Sequence, residues 1–287
     1  MAAARVPLPI RAILAASRGA AALYRLFEAL RDEVLLAFVA PEQRDAVTEA
    51  IYSHASGYLP GGLIFEQGLF LWEKALLARP EVPRRGRVLL AGAGGGRELK
   101  AFAERGYEVF AFEPSEELCV GCRAVSGIRG DAQVARGGYA DLVRLARDGN
   151  GRLAGFRGPF DVVWMGWGSF THVTVAEDHA AILESIRSLA PAAPVILSFY
   201  LHSAAPQRQG KIQRLRQAMR RILQYFGGKN VSWSVEYWTG VGFTYTFAEV
   251  ELRSLFHAGG YSTVILEADP YPHALLIPLQ VLDHRQK

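Results

Sequence analysis

Apolar positions in the first eighty residues recur at the three-to-four spacing of amphipathic helices. The clearest set predicts a first helix with one buried face. It consists of Leu23, Phe27, Leu30, Val34 and Leu35. A second helix is predicted from about Pro41 to Ser53, and a third from Phe65 to Ala78, after a turn at residues 58–62 that contains glycine and proline.

From Arg87 onward, short apolar runs alternate with helical segments. The predicted strands are residues 88–91, 107–112, 160–165 and 195–200, and the helices between them include 97–105 and 177–189. Continuously apolar strands separated by helices indicate a parallel sheet that is covered on both faces. A helix predicted at 247–258 precedes two further strands, 261–267 and 274–279, whose close connection predicts an antiparallel pair.

Residues 204–242 interrupt the alternation between a predicted core strand and a predicted core helix. We interpret this stretch as an insertion above the edge of the sheet. The sequence therefore predicts an N-terminal helical cap over residues 1–84 and an α/β domain over residues 85–287 that carries the insertion at about 204–242.

The composition is that of an ordinary globular protein, with 50% hydrophobic and 21% charged residues. A net charge of +4 is too small to indicate nucleic-acid binding. Cys119 and Cys122 are the only cysteines, which fits a reducing compartment, and we expect a cytoplasmic protein. Their single C-x-x-C pair lacks the second pair that a zinc site needs, so no metal is expected.

Residues 1–27 resemble a targeting peptide in composition, because they contain four arginines and no acidic residue. Arg11 and Arg18 interrupt every apolar stretch that a secretory signal would need. We interpret the segment as the start of the first helix, with a transit peptide as the alternative. The apolar run Val34 to Ala40 is too short for a bilayer, so no membrane span is predicted.

A glycine-rich turn follows the strand at 88–91 and leads into the helix at 97–105. Its glycines, Gly92, Gly94 and Gly96, let the chain turn sharply and let a ligand approach the backbone and the helix N-terminus. Dinucleotide-binding proteins space these glycines as G-x-G-x-x-G, which would put the third at Arg97. A glycine turn by itself is weak evidence, because such turns also occur without a ligand.

Acidic residues follow the next strands. Glu113 ends the strand at 107–112, where a carboxylate can accept two hydrogen bonds from a ribose diol. Asp131 lies in a loop where we expect a third strand to end, and its carboxylate can accept a hydrogen bond from the exocyclic amine of adenine. Gly166 and Trp167 follow the strand at 160–165. Since ligands of open α/β sheets bind at the carboxyl ends of the strands, these segments predict an adenosine site.

In this order the segments resemble the class I S-adenosylmethionine-dependent methyltransferases, over roughly residues 86–203 and 243–280. The resemblance implies a Rossmann-like seven-stranded mixed sheet whose last strand is antiparallel, with helices on both faces. It also implies S-adenosyl-L-methionine as cofactor and S-adenosyl-L-homocysteine as product. The cofactor-binding residues it implies are Gly92, Ala93, Gly94, Gly96, Glu113, Pro114, Asp131, Ala132, Gly166 and Trp167. The family usually has an acidic residue two positions before the first glycine of the turn, and this chain has Leu90 there. We expect Glu98 or Tyr58 to help hold the methionine end of the cofactor instead.

His172 and His202 follow the fourth and fifth predicted strands and are the candidate catalytic residues. Either can act as a general base if the methyl acceptor is a hydroxyl. The alternative is that each only hydrogen-bonds loop backbone or faces solvent. A base is dispensable for an acidic or nucleophilic acceptor, because methyl transfer then needs only alignment.

The insertion contains a basic helix and an aromatic cluster. Its basic residues, in the range 208–221, can attract an anionic substrate, a carrier protein, RNA or a membrane surface, or can simply face solvent. The aromatic residues either roof a pocket or fill the core, and they are Trp233, Tyr237, Trp238, Phe243 and Tyr245.

The sequence therefore predicts a methyltransferase acting on oxygen or nitrogen of a small molecule such as a specialised metabolite. Nucleic acid is not the expected substrate. The alternatives are an RNA or protein methyltransferase that docks through the basic helix 208–221, an NAD(P)-dependent oxidoreductase, and a binding module with a decayed cofactor site.

Overall fold

The structure is a computed structural model that describes residues 7–125, 133–202, 211–226 and 232–279. Its helices are α1 (Leu8–Phe38), α2 (Pro41–Tyr52), α3 (Leu63–Glu66), α4 (Leu71–Leu77), α5 (Arg97–Glu104), α6 (Glu116–Arg123), α7 (Tyr139–Asp148), α8 (Ala176–Leu189), α9 (Lys211–Tyr225) and α10 (Glu249–Ala258). Its strands are β1 (Arg87–Ala91), β2 (Glu108–Glu113), β3 (Val134–Arg136), β4 (Val162–Met165), β5 (Val195–Ser198), β6 (Tyr200–Leu201), β7 (Val235–Trp238), β8 (Gly242–Phe247), β9 (Tyr261–Glu267) and β10 (His273–Pro278). Short 3₁₀ turns lie at Ser56–Tyr58 and Ser169–His172.

Seven strands form one mixed sheet in the order β3-β2-β1-β4-β5-β10-β9. The strands β1 to β5 pair in parallel, and β10 is antiparallel to both of its neighbours. The predicted α/β class, the Rossmann-like mixed sheet and the antiparallel last strand are therefore confirmed. Chain order reverses between β1 and β4, and such a reversal opens the crevice in which ligands of doubly wound sheets bind.

The central strands of the sheet are buried on both faces, which accounts for their continuous apolar sequences. The residues of β1 from Val88 to Ala91 are fully buried, as are those of β4 and β5. Helices cover a parallel sheet on both faces, so a strand in its middle has no solvent-facing side chains. The continuous apolar runs follow from this arrangement.

The contacts of the chain form two compact units. The helical unit is Met1–Ala40 with Ala205–Tyr237, and the sheet unit is Pro41–Ala204 with Trp238–Lys287. These bounds differ from those of the predicted cap at 1–84 and the predicted domain at 85–287. The division into a cap and a domain that carries an insertion stays a prediction. Within the sheet unit, the short strand β6 pairs in parallel with β8.

Ion pairs connect α1 and α9 within the helical unit. Arg220 Nε donates to Glu33 Oε2 at 2.7 Å, and Arg216 Nη2 donates to Asp32 Oδ2 at 3.0 Å. Glu33 is 1% exposed, so its charge is balanced by the arginines of α9 and not by water. Two of the predicted basic residues of the insertion are therefore occupied inside the protein.

The predicted buried face of the first helix is wrong. Leu23, Phe27, Leu30 and Val34 are 69%, 61%, 46% and 38% exposed. The helix buries another set instead, and its members are Ala29, Asp32, Glu33, Leu36 and Ala37. A three-to-four spacing shows that an apolar face exists but not that it is covered, and here buried carboxylates paired with α9 determine the covered face.

The third predicted helix, Phe65 to Ala78, is two short helices in the structure. The chain between α3 and α4 turns at Gly68, whose φ of 59° is left-handed and breaks the helix. Among the helices described, none has the length and apolarity needed to cross a membrane.

Candidate cofactor site

The glycine turn after β1 is fixed by two backbone hydrogen bonds. The N–H groups of Gly92 and Ala93 both donate to the carbonyl oxygen of Phe112, at 3.0 and 3.1 Å. A Cβ at Gly95 would lie 2.0 Å from the carbonyl oxygen of Tyr58, so the turn packs against backbone on that side. Gly94 has a φ of 55°, and a Cβ there would meet no atom within 4 Å. Its open side faces a cavity.

This cavity, of about 600 Å³, lies within the sheet unit at the carboxyl ends of β1, β2 and β4. Six of the predicted cofactor-binding residues line it, in the glycine turn, at the end of β2 and in the loop after β4. They are Gly92, Ala93, Gly94, Glu113, Pro114 and Trp167. A cavity of this volume at the strand-order reversal has the size and position of a small-molecule site.

The Glu113 carboxylate is the central polar group of the cavity. It is 7% exposed, and it accepts the Gly94 N–H at 2.8 Å on Oε2 and the Ser115 N–H at 3.0 Å on Oε1. Burial raises the pKa of Glu113 to about 7, although the two N–H donors oppose that shift. The carboxylate is therefore held in place but poorly solvated, and hydroxyl donors from a ligand would stabilise its ionised form.

We expect the ligand-free protein to lose stability as pH rises from about 4.5 to about 7. The folded pKa of Glu113 lies above its ordinary value of 4.5, so the folded state binds this proton more tightly than the unfolded state. The contribution is greatest below pH 4.5, declines through the folded pKa near 7, and amounts to at most about 3 kcal/mol. Urea unfolding across this range, compared with Glu113→Gln, measures it. Identical pH dependence in the two proteins would contradict the expectation.

The structure corrects the predicted position of the third strand. β3 runs from Val134 to Arg136, so its carboxyl end is at Gly137 and not at Asp131. The predicted ligands Asp131 and Ala132 lie outside the described residues and stay predictions. The cavity wall after β3 is formed by Gly137, Gly138 and Tyr139.

Tyr139 is a lining residue that the sequence analysis missed. Its hydroxyl is 2.7 Å from Ser169 Oγ, in the turn after β4. Burial raises the pKa of Tyr139, so the hydroxyl stays protonated and uncharged. The sequence does show an aromatic residue shortly after the third strand. Because the strand was predicted to end near Asp131, Tyr139 was not recognised as a residue that follows it.

After the glycine turn, the cavity is also lined by Arg97 and Glu98 at the start of α5. Arg97 forms a bidentate pair with Glu73, at 2.6 and 2.7 Å, and also donates to Glu98 Oε1 at 2.5 Å. Its guanidinium lies 4.2 Å from the ring centre of Phe70. The residue that replaces the third glycine of a dinucleotide motif is therefore a buried ion-pair partner.

His172 lines the cavity and is hydrogen-bonded on both ring nitrogens. Nδ1 is 3.0 Å from the carbonyl oxygen of Phe243, and Nε2 is 3.1 Å from the Tyr52 hydroxyl. Burial lowers the pKa of His172, so the neutral ring predominates near pH 7. Because a carbonyl only accepts, Nδ1 carries the proton, and Nε2 accepts a hydrogen bond from Tyr52.

The other predicted residues of this region do not line the cavity. His202 is exposed, and its ring nitrogens lie 3.3 Å from Thr246 Oγ1. Gly96 precedes α5, where a Cβ would lie 2.7 Å from Val125 Cγ2, and a Cβ at Gly166 would lie 2.1 Å from the carbonyl oxygen of Gly92. Both glycines are needed for close packing of the loops that form the site.

Part of the predicted aromatic cluster also lies elsewhere. Trp238 stacks on Tyr200 with ring centres 4.8 Å apart, and Phe243 and Tyr245 are buried in the core. These three residues do not line the cavity. For Phe243 and Tyr245, the core-filling alternative is therefore the observed one.

Helix α2 supplies one wall of the cavity that the sequence analysis did not assign. Its lining residues recur at helical spacing on one face. They are Pro41, Glu42, Asp45, Thr48, Glu49 and Tyr52. Glu49 pairs with Arg136 at the end of β3, and Thr48 Oγ1 accepts the N–H of Phe243 at 3.2 Å. The spacing was visible in the sequence, but its mixed polarity resembled a solvent-exposed face.

Comparison with known proteins finds similar folds. No protein-family model matches the sequence, and no curated protein sequence matches it. Among the solved structures that match, the DhpI complex with SAH is 16% identical, with 83% of this chain and 96% of that chain covered and a TM-score of 0.49. Streptomyces venezuelae DesVI is 15% identical, with coverages of 72% and 89% and a TM-score of 0.46.

A third matching structure is the Burkholderia thailandensis 1,6-didemethyltoxoflavin-N1-methyltransferase, solved with its namesake compound and S-adenosylhomocysteine. It is 16% identical, with 96% of this chain and 91% of that chain covered and a TM-score of 0.43.

Proposed function

We propose that the protein is an S-adenosylmethionine-dependent methyltransferase acting on oxygen or nitrogen of a small molecule such as a specialised metabolite. The observation that carries the proposal is the Glu113 carboxylate, fixed by the Gly94 and Ser115 N–H groups inside the cavity at the end of β2. A buried carboxylate beside an open glycine turn suits the two hydroxyls of a ribose.

The lining residues fit the parts of this cofactor. Glu113 would bind the ribose, Gly138 and Tyr139 would contact the adenine, and the glycine turn with Glu98 would receive the methionine end. When bound, the cofactor supplies an electrophilic methyl group on a sulfonium. The chain's own residues orient the cofactor and exclude water, since α2 and the turn after β4 also line the cavity.

The acceptor is proposed to be small because the cavity lies inside the sheet unit. Docking of RNA or a protein through helix 208–221 is less favoured, because Arg216 and Arg220 are paired with Asp32 and Glu33. An oxidoreductase is disfavoured by Arg97, whose guanidinium occupies an ion pair where a dinucleotide motif has glycine. The buried free thiols of Cys119 and Cys122 support a cytoplasmic location.

Calorimetry with S-adenosylmethionine and S-adenosylhomocysteine tests the proposal. We expect saturable binding, weakened by about 100-fold in Glu113→Ala, because two charge-assisted hydrogen bonds are lost at about 1.5 kcal/mol each. NAD and NADP are measured in parallel. A folded protein that binds neither S-adenosyl compound but binds NAD would refute the methyltransferase and support the oxidoreductase.

The proposed general base is His172, with Tyr52 between it and the acceptor. A proton leaving an acceptor hydroxyl would pass to the Tyr52 oxygen as the Tyr52 proton moves to Nε2 of His172. His172→Gln is expected to lower kcat by about 100-fold with S-adenosylhomocysteine affinity unchanged. His202→Gln is the control and should change neither quantity. Steady-state methyl transfer to the acceptor found by screening measures kcat, and a kcat of His172→Gln equal to that of the wild type would exclude a base at His172.

A further inference from the structure

The position that usually holds an acid in the resembling family is apolar in this structure. Leu90 is fully buried in β1, between Ala111 of β2 and Trp164 of β4. No carboxylate reaches the glycine turn from this position. A cationic group at that end of the cavity would therefore need another carboxylate.

The buried cluster Glu73–Arg97–Glu98 contains such a carboxylate. Glu73 is 0% exposed, Arg97 5% and Glu98 4%. The bidentate pair satisfies Glu73, and Glu98 shares the same guanidinium and accepts the Trp167 N–H at 3.3 Å. Two carboxylates and one guanidinium leave one negative charge in excess, and a buried excess charge is costly unless a cation balances it.

Glu98 lines the cavity, whereas Glu73 does not. Resting on the proposed function, we propose that Glu98 binds the α-ammonium group of the cofactor's methionine end, in place of the missing acid at position 90. The ammonium ion balances the excess charge of the cluster. Arg97 is a positioning residue here, since it holds the Glu98 carboxylate at the cavity wall.

Calorimetry with three ligands tests this assignment. They are S-adenosylhomocysteine, its analogue in which hydrogen replaces the α-amino group, and 5′-methylthioadenosine, which lacks the amino-acid portion. Glu98→Gln is expected to weaken S-adenosylhomocysteine by on the order of 10- to 100-fold. The other two ligands should keep their affinity. Glu104→Gln, at an exposed position of the same helix, is the matched control.

The outcomes separate this inference from the proposed function. No binding of S-adenosylhomocysteine to the wild-type protein refutes the proposed function. Wild-type binding that Glu98→Gln leaves intact refutes the role of Glu98 alone. Equal weakening of all three ligands also overturns it, because that result indicates general damage to the cavity.

A second inference concerns the charge of the helical unit. This unit contains twelve lysine and arginine residues against four acidic ones, whereas the whole chain has 32 against 28. The ion pairs with α9 engage Asp32 and Glu33, both near the end of α1. Residues 8–27 contain no acidic residue, and their arginines, Arg11, Arg18 and Arg25, recur every seven residues on one face of α1.

Some of the exposed apolar residues of α1 form a ridge on another face. The ridge consists of Leu23, Phe27, Leu30, Val34 and Phe38, spaced by three or four residues and each at least 38% exposed. Near α9, three aromatic side chains are also exposed, namely Tyr225, Phe226 and Trp233. A basic helix with a long apolar face and exposed aromatic residues has the composition of helices that lie in the membrane interface.

The two features together select the partner. A nucleic acid would use the arginines but not the apolar ridge, and a second copy would bring two strongly positive units together. We propose that the helical unit docks onto an anionic lipid surface, with the ridge in the acyl boundary and the arginines near the headgroups.

Flotation of the full-length protein with vesicles tests this docking. We expect binding to phosphatidylcholine mixed with phosphatidylserine and not to phosphatidylcholine alone. Replacing Arg11, Arg18 and Arg25 with glutamine should weaken it by on the order of 100-fold. Leu23→Ser with Phe27→Ser should weaken it at least about tenfold, whereas Leu71→Ser with Val250→Ser, more exposed but in the sheet unit, should not.

The remaining outcomes overturn this second inference. Equal binding to neutral vesicles, or no binding to either kind, refutes an anionic surface. Tight binding of polyuridylate RNA that the serine variant leaves unchanged would identify nucleic acid as the partner. A dimer in solution that becomes a monomer in the serine variant would identify a second copy.

Discussion

Gly94→Ala is expected to weaken S-adenosylhomocysteine binding by on the order of 100-fold while leaving the protein folded. A Cβ at Gly94 meets no protein atom within 4 Å, so the added methyl enters the cavity and not the core. Fitting a ligand around an extra methyl in a packed site costs up to about 3 kcal/mol, which corresponds to that loss of affinity. Calorimetry of the purified variant measures it.

Gly106→Ala is the control that distinguishes the two effects of Gly94→Ala, namely the loss of cavity space and the strain of an L-residue at a left-handed φ. Gly106 has a φ of 80°, also left-handed, and a Cβ there would likewise meet nothing within 4 Å. It lies between α5 and β2, away from the cavity. Both variants should lose about 1 kcal/mol of stability from placing an L-residue in this conformation, but only Gly94→Ala should lose affinity. Equal affinities would show that the ligand does not approach Gly94.

Arg97→Met is expected to destabilise the fold by about 3–5 kcal/mol. It leaves the carboxylates of Glu73 and Glu98 buried next to each other without their shared cation. Burial already raises the pKa of Glu73 in the intact cluster. Methionine keeps the contact with Phe70, so the loss reports the charge. Urea unfolding at neutral pH measures it.

An exposed ion pair provides the comparison. Arg253 and Glu249 are paired at 2.7 Å on α10, with half or more of each side chain exposed. Arg253→Met should cost less than about 1 kcal/mol, because water replaces the lost partner. Arg97→Met should also recover part of its lost stability at low pH, where Glu73, whose pKa burial raises, becomes protonated. If Arg97→Met causes only a small loss of stability that does not change with pH, water reaches the carboxylates of the cluster and the prediction is wrong.

The sequence by itself determined the sheet and one wall of the site. Strands β1, β4 and β5 were predictable because burial on both faces requires continuous apolar runs. The turn at Gly92 to Gly96 and the carboxylate of Glu113 were predictable because each directly follows such a strand. The carboxyl ends of parallel strands meet at one edge, so chain position alone brought these residues together.

Only the tertiary structure decided which faces are covered and which polar groups meet. In α1 the apolar ridge is exposed and Glu33 is buried, because Arg220, 187 residues further along the chain, neutralises its carboxylate. His172 and not His202 lines the cavity, because Tyr52 and Phe243 hold its ring there. Periodicity records the polarity of each residue, whereas burial of a charge depends on a partner that is distant in sequence.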